Sequence, residues 1–154
     1  MVLIEGRTVT HTYAISTGLA GSGETVDSGK TPRGRHAIAE KIGAGAEIGT
    51  VFVAGLPTGE KVAVNTPGRW PVVTRLFRLR GLEAHNQNTM ERLVYLHGSP
   101  VETLLGSPAS GGCIRMRSAD IIPLFDRLEV GTEVLIVEGT LDETLYRYGV
   151  KDQQ

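Results

Sequence analysis

One thiol, four imidazoles and a glycine-rich turn hold most of the reactive chemistry in this chain. Residues 104–117 read LLGSPASGGCIRMR, and Cys113 is the only cysteine. A cysteine nucleophile needs a base to form thiolate, donors for the oxyanion, and backbone room for the substrate. Gly112 lets the chain approach a carbonyl closely, and a turn here can aim the N–H groups of Gly112 and Cys113 together. His97 stands 16 residues upstream at the end of an expected strand, a place that an adjacent loop can reach. An imidazolium beside the thiolate would lower its pKa from about 8.5. The competing reading makes Cys113 a small buried hydrophobe, the usual fate of a free cysteine. The Gly-Gly approach and the polar flank pull the other way, and the residues alone leave both readings open.

Other candidates carry less. Arg115 can orient the loop through backbone carbonyls or hold a substrate carboxylate with its planar fork, and the structural use is preferred. Arg33 and Arg35 are carboxylate-binding candidates, with ordinary surface charge as the alternative. His36 follows TPRGR and can approach the site, although a structural hydrogen bond is the expected role. His11 reads as packing or surface, and His85, within HNQN, as solvated. No H-x-x-H or H-E-x-x-H pair is present, so no metal site is expected and no cofactor is called for.

GETVDSGKT, at residues 23–31, imitates a phosphate-binding loop but has one residue too many between Gly23 and Gly29. Such a loop must open into a helix whose N-terminus faces the phosphates. Pro32 biases Thr31 away from helical angles, and Gly34 weakens any helix beyond it. Nucleotide binding is excluded on that ground.

The elements that must position these residues read as mainly β. THTYAIST (10–17), RHAIAEKI, GTVFVAGL, KVAVNT, VVTRLFRL and RLVYLHG are strand candidates, the last ending at His97-Gly98. GLEAHNQNTMER is polar and aperiodic, a surface loop able to cover a cleft. Ser118 is placed to cap a helix through ADIIPLFDRL, with Asp120 in its first turn. Pro123 requires that helix to begin late or kink. EVGTEVLIVEG reads as a turn and a buried strand. Twenty glycines and seven prolines against three Phe and one Trp fit many turns and short elements.

The 154 residues suit one domain, 1–154, with a core that needs no staples. A net charge of −1 gives no footprint for nucleic acid or an anionic membrane. No apolar stretch approaches the length that spans a bilayer, so membrane insertion is not expected. A lone cysteine makes no internal disulfide. MVLIEGRTVTHTY lacks a basic start and an apolar run of about 7–15 residues. A cytoplasmic protein is expected if the chain is full length, a periplasmic or wall protein if a leader has been removed.

Taken together, YLHGSP…LLGSPASGGCIRM resembles the active-site signature of the L,D-transpeptidase catalytic domain, also called the YkuD domain. That signature is His-Gly, a gap, then [Ser/Thr]-x-Gly-Cys followed by an apolar residue and Arg or Asn. His97, Gly98, Ser110, Gly112, Cys113, Ile114 and Arg115 match in order. YAISTG, KTPRGRHAI and DIIPLFDRLEVGTEVLIV are similar to its flanking segments, extending the likeness from Tyr13 to Val137. The resemblance implies a mainly-β, sandwich-like domain with one or two short helices, acting on peptidoglycan stem tetrapeptides or muropeptides. It implies Cys113 as nucleophile and His97 as base, the imidazole oriented by a backbone carbonyl, with Gly112 and Cys113 amides as oxyanion hole. The bond attacked would join the L-centre of a diamino acid, usually meso-diaminopimelate, to D-alanine. Water as acceptor makes an L,D-carboxypeptidase of wall recycling; an amine makes an L,D-transpeptidase. A non-catalytic module binding wall fragments is the remote alternative. One departure stands at Gly111, where many members carry His.

Overall fold

The computed structural model describes residues 1–151. The strands are β1 (Val2–Glu5), β2 (Thr8–Thr12), β3 (Ile15–Ser16), β4 (Gly34–Ile42), β5 (Thr50–Val53), β6 (Leu56–Lys61), β7 (Val72–Gly81), β8 (Tyr95–Ser99), β9 (Ile114–Arg117) and β10 (Glu133–Ile136). Two helices complete the fold, α1 (Ser118–Arg127) and α2 (Leu141–Arg147). β1 and β2 form a separate hairpin; the main sheet runs β10-β4-β7-β8-β9-β3, with β5 joined to β7 and β6 to β5. All pairings are antiparallel except β8 with β9. No helix among the described residues is long and apolar enough to cross a membrane.

Side-chain alternation along the strands gives this sheet two different faces. Phe77 and Leu79 of β7, Leu96 of β8, and Ile114 and Met116 of β9 pack with Ile121, Leu124 and Phe125 of α1. Burying each such side chain contributes about 1.5–3 kcal/mol. The neighbouring positions, Leu76 and Tyr95, turn the other way and pack with Phe52 and Cys113. Tyr95, His97, Cys113 and Arg115 thus belong to one face of the β8–β9 pair, opposite the helix.

Several local expectations change. GTVFVAGL is not one strand, because Ala54 and Gly55 both take positive φ, 51° and 83°, and turn β5 into β6. KVAVNT contributes only Lys61 to a strand. THTYAIST breaks at Tyr13–Ala14 between β2 and β3. Ser118 does not cap α1; its Oγ lies 2.7 Å from Thr74 Oγ1, and Arg117 holds the cap position. Pro123 sits inside α1, which continues to Arg127. β10, expected to be buried, is a half-exposed edge strand. The 82–93 segment is no mere surface loop: Asn86 and Thr89 are fully buried beneath a short 3-10 turn at Ala84–Asn86.

β7 carries a bulge at Thr74–Arg75, where its register against β8 shifts. Thr74 has φ 74°, an outlier for a β-branched residue. Its hydroxyl accepts from the Gly49 N–H at 3.1 Å and meets Ser118, which holds the strained backbone in place. The bulge presses the Val73 carbonyl towards Gly98, where a Cβ would lie 2.5 Å from that oxygen. Only glycine fits there.

Candidate active site

Because β8 and β9 run parallel, the chain between them must travel back along the sheet before entering β9. That return, residues 100–113, delivers Cys113 to the starting end of β8. The register pairs Leu96 with Ile114 and His97 with Arg115. Cys113 therefore stands beside Tyr95, one diagonal step from His97 on the same face. The Tyr95 N–H donates to Sγ at 3.3 Å, and the thiol donates to the Leu93 carbonyl at 3.4 Å.

His97 is 3% exposed, and its Nδ1 lies 2.7 Å from the Gly98 carbonyl oxygen. A carbonyl only accepts, so the neutral ring carries its proton on Nδ1 and leaves Nε2 as the basic nitrogen. Burial pushes the pKa of His97 down to about 4; the Gly98 bond opposes this and the Arg115 charge adds to it. The imidazole is neutral at pH 7. Burial likewise pushes the Cys113 thiol up, against the Tyr95 N–H and the positive charges of Arg115 and Arg92. This corrects the expected low-pKa thiolate beside an imidazolium: the resting pair is thiol and neutral imidazole. No hydrogen bond joins the two among the described residues, a looseness common in unliganded sites.

Gly112 was expected to offer its N–H to an oxyanion, but that N–H donates to Ser110 Oγ at 3.1 Å. The Ser110 hydroxyl in turn donates to the Cys113 carbonyl, so this serine folds the turn rather than facing a substrate. Gly112 also has φ 122°, and a Cβ there would sit 3.0 Å from the Lys30 carbonyl. Thr31 clamps the same turn, its hydroxyl donating to the Gly112 carbonyl at 2.9 Å while accepting from Gly18 N–H at 2.8 Å. The N–H groups of Gly111 and Cys113 make no hydrogen bond among the described residues. They are the donors that the turn leaves unengaged. Gly111 is exposed, and a Cβ there would meet nothing within 4 Å.

A cleft opens at the thiol, lined by Gly111, Gly112 and Cys113 together with Asp27, Gly29 and Arg92. Asp27 and Arg92 were not singled out from sequence; they stand 65 residues apart, and only folding brings both to this cleft. Arg115 is half-buried, donates to the Ala109 carbonyl at 3.2 Å and lies across from His97, which gives it the loop-orienting role. Its charge acts on both Cys113 and His97.

The remaining candidates lie elsewhere. His36 is fully buried, bonded to the Gly34 carbonyl and Thr89 Oγ1, each at 3.0 Å, and braces the 3-10 turn. Arg33 grips Glu24 through two nitrogens and reaches Glu138, and Arg35 pairs with Glu133. Glu24 is held down to about 2 by that grip. Neither arginine lines the cleft. His11 stacks on Tyr13, and the exposed His85 is 3.2 Å from the Arg33 carbonyl. The residues after Gly29 enter β4 and no helix, consistent with the exclusion of a phosphate loop.

The family model of the L,D-transpeptidase catalytic domain (YkuD) matches residues 1–136. A putative L,D-transpeptidase YqjB of Bacillus subtilis is 38% identical over 52 residues, covering 34% of this chain and 30% of that protein. A probable L,D-transpeptidase ErfK/SrfK of Escherichia coli is 45% identical over 47 residues, 30% of this chain and 15% of that protein. The matched stretch thus spans less than a third of these curated relatives. Among solved structures, an L,D-transpeptidase from Xylanimonas cellulosilytica aligns over 88% of this chain and 54% of its own, with TM-score 0.55 and 21% identity. One from Mycobacterium smegmatis aligns over 84% and 49%, with TM-score 0.52 and 19% identity. The shared architecture is the mainly-β fold described above.

Proposed function

Starting from the fact that the chain belongs to the L,D-transpeptidase catalytic domain family, a family of peptidoglycan metabolism, we propose that it is a cysteine acyl-enzyme with L,D-carboxypeptidase activity. The substrate is a peptidoglycan tetrapeptide, and the bond cleaved joins the L-centre of diaminopimelate to D-alanine. The observation that carries this reading is the thiol of Cys113 at the cleft wall, flanked by two unengaged amides and a carbonyl-anchored imidazole.

The neutral resting pair defines the order of events. Sγ leaves the Leu93 carbonyl and turns to His97 Nε2, which takes its proton as the sulfur attacks the substrate carbonyl. The oxyanion accepts from the Gly111 and Cys113 N–H groups. The imidazolium then protonates the departing amine of D-alanine, leaving a thioester on Cys113. Water, giving its proton to His97 Nε2, attacks the thioester; the C–S bond breaks, the tripeptide acid leaves, and the imidazolium returns the proton to Sγ. Arg115 favours the transient thiolate and disfavours a lasting imidazolium, so charge separation is confined to the reacting complex.

The open space beside Gly111, where a Cβ would meet nothing within 4 Å, supports water as acceptor by leaving it room to approach. A second reading, transfer to an amine, follows from the family. Incubation with a tetrapeptide, with and without an added D-amino acid, followed by mass analysis, separates them. Tripeptide with free D-alanine is the expected product; exchange or dimer supports transfer. Equal turnover by Cys113→Ala overturns the mechanism.

A further inference from the structure

Two opposite charges face the cleft that holds Cys113, and the protein neutralises neither. Arg92 and Asp27 both line it. Among the described residues neither takes part in an ion pair. Glu24, three residues from Asp27, is by contrast paired with Arg33.

Arg92 is held but not used up. One terminal nitrogen donates to the Gly23 carbonyl at 3.2 Å and the other to the Lys30 carbonyl at 2.6 Å. A guanidinium carries five N–H donors, so this fork keeps donors for a carboxylate. Arg92 is half-buried and its positive charge reaches the thiol, whereas Asp27 is exposed. The cation is the inner charge of the cleft and the carboxylate the outer one.

Asp27 is exposed and has φ 57°, a conformation that Asp and Asn tolerate better than most residues. The loop around it is braced on both sides. Ser28 N–H and Oγ both donate to the Thr25 carbonyl, and Asn88 Nδ2 donates to the Glu24 carbonyl at 2.9 Å. Gly23 N–H meets the Thr31 carbonyl at 2.9 Å. The Arg92 guanidinium and the backbone that carries Asp27 are therefore held before any ligand arrives, which limits the ordering cost of binding.

Resting on the reading above, we infer that Arg92 and Asp27 form a clamp for a zwitterion, a carboxylate and an ammonium on one carbon. The clamp takes the far end of the diamino-acid side chain of the acyl donor, with its carboxylate on Arg92 and its ammonium on Asp27. It makes these residues determinants of specificity for the third residue of the peptide, without a part in the bond chemistry.

The test compares donors that differ only at that side-chain end: diaminopimelate, and aminopimelate, which keeps the carboxylate and lacks the second ammonium. Wild-type protein is expected to favour the diaminopimelate peptide about tenfold in kcat/KM, the worth of one hydrogen bond to a charged group. In Asp27→Asn, whose side chain suits the same φ, that ratio is expected to fall to about one. A lysine peptide, which lacks the carboxylate, reads Arg92 in the same manner. Equal use of both pimelate peptides by wild type, or an unchanged ratio in Asp27→Asn, overturns the clamp. Release of D-alanine from neither peptide overturns the catalytic reading instead, and calorimetric affinities for the same peptides then decide the clamp on the same ratio.

Discussion

His97 Nδ1 and the Gly98 carbonyl oxygen stand 2.7 Å apart, so a peptide group takes the orienting role that an acidic side chain fills in other nucleophilic sites. The consequence is electrical. A carboxylate would stabilise imidazolium; here burial, with Arg115 across the ladder, outweighs the Gly98 carbonyl and leaves the ring neutral.

The pH dependence of stability follows from that neutrality. The folded pKa of His97 is about 4, below an unfolded value of about 6.5, so the unfolded chain binds more protons between them. Stability from this group is complete above pH 6.5 and is lost as pH falls towards 4, up to about 3 kcal/mol. Urea titrations at pH 7 and pH 4.5 should show a smaller acid loss for His97→Gln than for wild type.

Alkylation of Cys113 should be slow at pH 7 and accelerate only well into the alkaline range, because burial raises the thiol pKa. Iodoacetamide rates measured from pH 6 to 10.5 test this. Rapid labelling near pH 6 would contradict the neutral resting pair. Cys113→Ala should cut D-alanine release by about 10⁴-fold or more while the fold is retained.

Gly98→Ala places a methyl 2.5 Å from the Val73 carbonyl, a backbone atom that cannot swing aside. The expected cost is about 1–3 kcal/mol by chemical denaturation. Activity should fall beyond what the lost stability explains, since the carbonyl that anchors His97 moves with the strand.

Gly111→His enters open space and should leave stability within about 0.5 kcal/mol of wild type. A ring there adds a donor beside the thiol and occupies the solvent side of the thioester. Acylation should speed up by as much as about 10²-fold, the scale of one oxyanion donor. The product ratio with added D-amino acid should shift from tripeptide towards exchange, which mass analysis reads directly.

That Cys113, His97 and the glycine turn are neighbours was legible in the sequence because they lie within one short span joined by adjacent strands. The strand RLVYLHG and the Gly-Cys entry into β9 sufficed to bring Cys113 and His97 to one face. Asp27 and Arg92 were not legible, since nothing local to either residue points to the other. The engagement of the Gly112 N–H was not legible for a related reason: its partner, Ser110 Oγ, is decided by the detailed path of the turn. Ser118 looked like a cap by position, yet a buried hydroxyl partner on β7 outcompeted the helix end. The thiol pKa depends on burial, a property of the whole fold.

The alternation along β8 and β9 has one more consequence, for how the protein comes to be active. Ile114 and Met116 enter the core from the same ladder whose other face carries Cys113 and Arg115. A slip of one residue would drive an arginine and a thiol into the apolar layer and expose the core residues. Such a chain could neither fold stably nor react. Hydrophobic sorting of β9 thus also decides which face receives the thiol, so the place of Cys113 in the cleft is fixed as the core forms.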